Sequence, residues 1–434
     1  MSLVLSITSL APGGDGVAIV EMGGERRAVF VRGASVGDRV KVDVDASRRP
    51  ARGRVLELLE EGPTRVAPAC AHVARCGGCD WMHVSLAAQR DAHEGEVRRA
   101  LPEAWRGVTI VAHDAPPGAA LAYRSRARVH VRASGGRAIV GMHEAGSNEP
   151  AEVDTCVVLA PELDVARGRV AAFFDGAHGH GDAQLALGSV DGDGARRAVL
   201  DLRWSGALPA ACFARIERAT LAGEWAGARL VQGDTRKPAI IGDPTPWMRG
   251  ADGAPLRLAA GGFGQASEAA NAQLAKRVAE LAAQALPPEG SRRVTELYAG
   301  AGNLTVLLAR ASSDVTAVES SRDACDAARA NLAARDLRAK VVEADAAAYA
   351  WPKTTRLVVL DPPRTGARDV ATRLAEAPVR HVIYVSCDPQ TLGRDLATLA
   401  GAGYAPRAVE TFEMFPQTSH VETVVALERT RGRA

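Results

Sequence analysis

The spacing of hydrophobic and polar positions changes twice along the 434-residue chain. Up to about residue 60, short apolar runs (SLVLSITSLA, GVAIVEMGG, RRAVFVRG and DRVKVDVDASRRPARGRVLELL) are separated by the turn signals GGDG and GGER. Short strands at close, even spacing predict a small β-barrel. Residues 63–92 hold three cysteines and little periodicity. From about 93 to 255 a helix over 94–101 precedes strands in YRSRARVHVR, GRAIVGMH, AVLDLRW, ARLVQG and LRLAAGG, which read as an antiparallel α+β module. Gly-rich stretches such as GAHGHGDAQLALG read as loops within it. From about 256 strands and helices alternate, with strands RVTEL (293–297), DVTAVE (314–319), AKVVEA (339–344), RLVVL (356–360), HVIYVS (381–386) and HVETVVALE (420–428). Near-continuous apolar strands between helices predict a parallel, doubly wound sheet, which binds ligands beyond the carboxyl ends of its strands. The reading is therefore three parts: 1–60, 61–255 and 256–434.

Composition narrows this little. Apolar residues are 47% and charged residues 24%, ordinary for a globular protein, and the net charge of +2 gives no global field for nucleic acid. Any RNA- or DNA-binding surface must be local. The start MSLVLSITSLAPGG lacks a basic n-region, and no 18-residue apolar run exists, so neither a signal peptide nor a membrane span is expected. Seven cysteines, an odd number without an export signal, point to the cytoplasm and to metal-binding or catalytic thiols.

Chemistry concentrates at the predicted strand ends of the last part. The turn YAGAGNLT (298–305) follows the first strand into a helix, and its glycines allow a tight approach to a ligand. Glu319 ends the next strand, placed to accept hydrogen bonds from ribose hydroxyls; a dinucleotide and S-adenosylmethionine both fit. Asp345 closes the third strand and can meet an adenine amine. Asp361 opens DPPRTG after the fourth, on backbone stiffened by two prolines. Cys387 ends the fifth strand in YVSCDPQTL, ahead of a helix begun by Asp-Pro, and a helix N-terminus is expected to lower its thiol pKa. Glu422, in EMFPQTSHVETV, starts the last strand and suits a general base.

Two features lie upstream. Cys70, Cys76 and Cys79 share the loop CAHVARCGGC, and Cys156 lies in VDTCVV; four thiolates suit an iron–sulfur cluster or a structural zinc equally. In YRSRARVHVR, Arg124, Arg126, Arg128, His130 and Arg132 alternate, so a strand would put them on one face, opposite RNA phosphates.

Together GFGQASEAAN (262–271), ELYAGAGNLT, DPPRTG, SCDPQTLGRD (386–395) and MFPQTSHVE resemble the RNA uracil-5 methyltransferases, which make 5-methyluridine in 23S rRNA or tRNA. The resemblance spans nearly the whole chain. It implies a Rossmann-like S-adenosylmethionine methyltransferase domain, an N-terminal OB-like TRAM barrel that binds RNA, and a central α+β domain. It also implies cofactor contacts from Gln265, Tyr298, Asn303, Glu319, Asp345 and Asp361, with Gln265 and Asp361 open to a role facing uracil instead. Cys387 becomes the nucleophile, Glu422 the base, and the four cysteines, followed by Asp80, Trp81 and Gln89, the holders of a 4Fe-4S cluster. A monomer acting on 23S rRNA or tRNA is implied, with no membrane partner. Ala299 stands where relatives often carry Cys, and His93 where many have Lys, which places one RNA contact in question. An amino-methyltransferase of the [DN]PPY type is disfavoured by Arg364, and a non-catalytic RNA chaperone by the intact Cys387 and Glu422.

Overall fold

The structure, a computed structural model, describes residues 1–190, 195–233 and 237–430. The N-terminal sheet has six strands in the order Ser2–Ser6, Arg39–Asp45, Ala51–Glu60, Glu25–Arg32, Asp15–Met22, Ser9–Leu10. Strand Arg39–Asp45 alternates strictly between exposed and buried positions, and Val40, Val42 and Val44 join Leu5, Val29 and Val31 in the core. The chain between Ser6 and Ser9 closes the barrel. Ile7 N–H donates to Asp38 O on one edge and Thr8 N–H to Val17 O on the other.

The central sheet also has six strands: Ala239–Gly242, Trp225–Gln232, Arg196–Ala207, His178–Val190, Arg126–Ser134 and Arg137–Gly141. Helices Pro161–Phe173 and Ala210–Leu221 bury its inner face through Leu163, Val170, Cys212 and Ile216. Two expectations fail here. The sheet is mixed rather than antiparallel, because Arg196–Ala207 and Trp225–Gln232, joined through helix Ala210–Leu221, pair in parallel. The Gly-rich stretch 176–188 is not a loop, because His178–Val190 is the longest strand of this sheet, paired on both sides. Gly179 faces Gly206, and a Cβ at Gly179 would fall 2.1 Å from Ser205 O. The glycines thus permit close strand approach, while alternating Ala183, Leu185 and Leu187 fill the core.

The last sheet has eight strands, in the order Lys340–Glu343, Val315–Glu319, Val294–Leu297, Leu357–Leu360, His381–Ser386, Glu422–Arg429, Tyr404–Phe412, Ile110–His113. The first five run parallel and nearly every residue of Val294–Leu297 and Leu357–Leu360 is buried, as expected for a sheet covered on both faces. Two strands were not expected. Tyr404–Phe412 carries Pro406 beside a register shift, which hides its strand character. Ile110–His113 comes from the region before the central sheet, yet pairs in parallel with Tyr404–Phe412. Helix Leu86–Ala100, longer than the expected 94–101, sends Val97 into the same core as Leu360 and Tyr384. Residues 86–113 therefore pack on the C-terminal sheet. Among the described residues no helix is long and apolar enough to cross a membrane.

Candidate active site and thiol cavity

The first and fourth strands of the last sheet, Val294–Leu297 and Leu357–Leu360, are neighbours whose crossovers leave in opposite directions, so a crevice opens beyond their carboxyl ends. Gln265, Tyr298, Gly300, Asn303 and Asp361 line one cavity there, with Glu296, Phe263 and Met248. Tyr298 and Gly300 both have positive φ, 61° and 55°, so the turn after the strand folds back sharply. A Cβ at Gly300 would meet nothing within 4 Å, which leaves open space over the turn. Glu319 holds that turn from the next strand, accepting from Gly300 N–H at 3.0 Å and from Ser321 N–H at 2.8 Å. Asn303 is oriented by a reciprocal amide pair with Asn271, at 2.8 and 3.0 Å. Asp345 lies outside the lining; its carboxylate accepts from Ala347 N–H at 2.9 Å just past strand Lys340–Glu343. Buried Glu296 accepts from Thr305 Oγ1 at 2.6 Å, and burial pushes its pKa up to about 8.

Antiparallel pairing explains the other half of the crevice. Ser386 at the end of one strand is opposite Thr423 near the start of its partner, so Cys387 and Glu422 emerge at the same end. Asp388 caps the following helix, Pro389–Gly401, by accepting from Thr391 N–H at 2.8 Å, and Pro389 occupies its first turn. Glu422 is 3% exposed and its Oε2 has no hydrogen-bond partner. Burial, and then the nearby Asp361 carboxylate, raise its pKa well above the usual range, with Arg364 opposing. Burial also raises Asp361, to about 6. The expected lowering of the Cys387 pKa is not found. Burial first, then the Glu422 charge, push it up to about 12, against the pull of Arg364. The helix end is outweighed because the thiol is sunk among carboxylates. Arg364, a cation that acts on both Cys387 and Glu422, stood within DPPRTG without an assigned role.

The four upstream cysteines converge. Cys70, Cys76, Cys79 and Cys156 line one cavity, otherwise walled by Val73, Met82, Met142 and Val158, with Arg124 and Arg167. His72 N–H and Gly78 N–H each approach a cysteine sulfur at 3.4 Å, Cys70 and Cys76 respectively. A Cβ at Gly77 would fall 2.9 Å from His143 O, so this glycine lets the loop press against the central sheet. Burial pushes the Cys79 thiol up to about 12 and raises Cys76 and Cys156 as well. Among the described residues no three His, Cys, Asp or Glu side chains meet closely enough for a single metal ion.

The basic strand departs from its expected pattern. Arg128, His130 and Arg132 lie on the outer face of Arg126–Ser134, but Arg126 is 6% exposed. The strand begins at Arg126, where the 258–264 segment covers it; its guanidinium donates to Gly262 O, and burial lowers its pKa to about 10. Arg124 precedes the strand and lies over the Phe415 ring at 5.9 Å. Arg132 pairs with Glu149 and His130 with Asp182, which spends much of the expected positive face on internal pairs. His93, raised as an RNA contact in question, is fully buried, with Nδ1 at 2.9 Å from Glu413 and Nε2 at 3.1 Å from Thr418 O.

Comparison with known proteins agrees with this architecture. Residues 275–382 match the family model "Methyltransferase small domain", and residues 345–430 match "tRNA (Uracil-5-)-methyltransferase". The 23S rRNA (uracil(1939)-C(5))-methyltransferase RlmD of Halomonas elongata is 36% identical over 444 residues, covering 98% of this chain and 89% of the relative. The RlmD of Pseudomonas putida is 32% identical over 451 residues, covering 98% and 93%. Among solved structures, the Pyrococcus abyssi tRNA (uracil-54, C5)-methyltransferase in complex with S-adenosyl-L-homocysteine superposes with a TM-score of 0.74 at 20% identity, over 98% of this chain and all of that one.

Proposed function

Since the chain belongs to the RNA uracil-C5 methyltransferases, we propose that it methylates carbon 5 of a uridine in 23S rRNA, through a covalent bond between Cys387 and the uracil ring. The observation that carries the mechanism is the convergence of Cys387, Glu422 and Asp361 at one sheet end, beside the cavity at the Gly300 turn. The identity of the RNA follows the named function of the relatives.

The cavity fits a nucleoside-bearing methyl donor: an open glycine turn, fixed Asn303, and Tyr298 and Gln265 on its walls. When bound, S-adenosylmethionine supplies a sulfonium methyl group and leaves as S-adenosylhomocysteine. Cys387 supplies what uracil lacks. Its Sγ, as thiolate, adds to carbon 6, and the displaced ring electrons make carbon 5 nucleophilic enough to take the methyl group. Glu422 then removes the proton left on carbon 5. That electron pair restores the double bond, the carbon 6–Sγ bond breaks, and Cys387 regains its thiolate. A carboxyl with a raised pKa suits a base that must hold a carbon-derived proton. Arg364 stabilises the negative forms of both groups. The target base must leave its stack to enter, and Phe263, 72% exposed at the cavity edge, offers a ring to stack against.

The four-cysteine cavity is assigned to a 4Fe-4S cluster rather than to zinc. A cluster spreads four thiolates around a body larger than a single ion, and Cys70, Cys76, Cys79 and Cys156 line one shared cavity that would hold it. The N–H groups of His72 and Gly78, aimed at the Cys70 and Cys76 sulfurs, would donate to sulfur ligands of such a cluster. The N-terminal barrel is assigned as a TRAM domain that adds RNA contacts, and the site of action as the cytoplasm, where such RNA resides.

The reading is tested by incubating the full-length protein with labelled S-adenosylmethionine and an unmodified 23S rRNA transcript or tRNA transcripts, then digesting to nucleosides. Labelled 5-methyluridine from 23S rRNA, absent with Cys387→Ala, is expected. RNA binding without label incorporation would establish a non-catalytic RNA-binding protein instead.

A further inference from the structure

Glu422 makes no hydrogen bond through Oε2, so nothing bonded there fixes the direction of its carboxylate. Its position depends on the backbone that delivers it: the pairing with Phe412 and the irregular segment 413–421. That segment contains Gln417 at φ +73°, a left-handed conformation that a non-glycine residue keeps only when its surroundings enforce it. A local turn helps, Thr418 N–H and hydroxyl both donating to Phe415 O at 3.2 and 2.8 Å, and the other enforcing groups come from residues more than 290 positions earlier.

Ser419, three residues before Glu422, is the focus. Asp80 accepts from both its N–H, at 2.8 Å, and its hydroxyl, at 2.6 Å. Gly13 N–H of the barrel turn donates to the same hydroxyl oxygen at 3.1 Å. A Cβ on Gly14 would overlap Asp80 at 2.3 Å, so the barrel turn is packed flush against this contact. Fully buried Gln89 brackets Gln417, accepting from its N–H at 2.8 Å and donating to its Oε1 at 3.2 Å. Trp81 N–H donates to Gln417 O at 3.0 Å. His93 ties Glu413 to Thr418 O, and Tyr123 OH donates to Pro416 O at 3.1 Å. Buried polar groups are costly unless satisfied, and a satisfied network of this density fixes one arrangement of the segment it surrounds. Asp80 also directly follows Cys79, so the acid that holds Ser419 is placed by the four-thiol loop.

We propose that Asp80, Gln89 and His93 are positioning residues for the proton-removal step, holding segment 413–421 so that Glu422 meets the proton on carbon 5. The inference rests on the reading of Glu422 as the base. It predicts a selective defect: attack by Cys387 and methyl transfer proceed, while release slows.

The test uses full-length protein, S-adenosylmethionine and two 23S rRNA transcripts, one with ordinary uridine and one with 5-fluorouridine. Covalent protein–RNA adducts are followed in time on denaturing gels. Fluorine at carbon 5 leaves no proton for the base to remove, so the adduct is trapped and that transcript reports only on attack and methyl transfer. Ser419→Ala, which deletes one hydroxyl, and Asp80→Asn should form the fluorinated adduct within about twofold of the wild-type rate. With ordinary uridine both should accumulate an adduct that decays at least about tenfold more slowly than wild type, as Glu422→Gln also does. Iron content equal to wild type in both variants accompanies that result. If Glu422→Gln accumulates the adduct while both variants release it at the wild-type rate, the positioning role is overturned alone. A parallel loss of fluorinated adduct in both variants overturns it as well, since the defect is then not selective. If Glu422→Gln itself accumulates nothing, the underlying assignment of the base fails.

Discussion

At the residue scale, Cys387 is a poor nucleophile at rest. Burial and its carboxylate neighbours hold the thiol pKa near 12, so only a small fraction is thiolate at neutral pH, and Arg364 is the cation that limits the penalty. Below the raised pKa the thiolate fraction rises about tenfold for each pH unit. Alkylation of Cys387 in the free protein, followed by peptide mass spectrometry, is therefore expected to accelerate by about that factor per unit between pH 7 and 9. Arg364→Ala removes the stabilising charge, raises the thiol pKa further and should slow alkylation at every pH in that range. A rate flat above pH 7 would mean that the thiol is already ionised, and a faster rate in the variant would mean that Arg364 does not favour the thiolate.

At the element scale, the active end of the sheet is stapled by helix Pro389–Gly401. Asp395, 1% exposed, accepts from Tyr384 OH at 2.8 Å and from Ala367 N–H at 2.7 Å, joining the strand that leads into Cys387 to the loop that begins at Asp361. Asp395→Ala leaves two buried donors without a partner and is expected to destabilise the protein by about 2–3 kcal/mol, read from the shift of a denaturant midpoint. Much of this level was legible in the chain. The five parallel strands, the glycine turn and the strand ends carrying Glu319, Asp361 and Cys387 follow from apolar runs and their punctuation. What escaped has physical causes. Pro406 disguised strand Tyr404–Phe412, glycines disguised His178–Val190, and the partner of Ile110–His113 lies some 300 residues away, where no local period can report it. The basic stripe misled because alternation fixes a face but not what covers it, and Arg126 is covered by the 258–264 segment.

At the scale of the whole molecule, barrel, thiol loop and catalytic sheet meet at Ser419, so the parts are not beads on a string. Charge is nearly balanced overall, and on the central sheet His130 and Arg132 are already paired, leaving Arg128 as the member of the stripe with most to offer a phosphate. Arg128→Ala is expected to weaken 23S rRNA binding and to reduce the slope of log affinity against log salt by about one; an unchanged slope would remove it from the interface. Cys79→Ser should lose iron and lower the melting temperature, because three thiols would remain around an apolar cavity without the body they enclose. Retention of iron and of the melting temperature would argue that the cavity holds no cluster.

The account stands most directly on the bond between Cys387 and the target base. Full-length protein is mixed with S-adenosylmethionine and a 5-fluorouridine 23S rRNA transcript, digested with protease and nuclease, and analysed by mass spectrometry. The prediction is one methylated fluorouracil nucleotide attached to the peptide containing Cys387, present with Glu422→Gln and absent with Cys387→Ala. No adduct with the wild-type protein, or an adduct that survives Cys387→Ala, would contradict the mechanism.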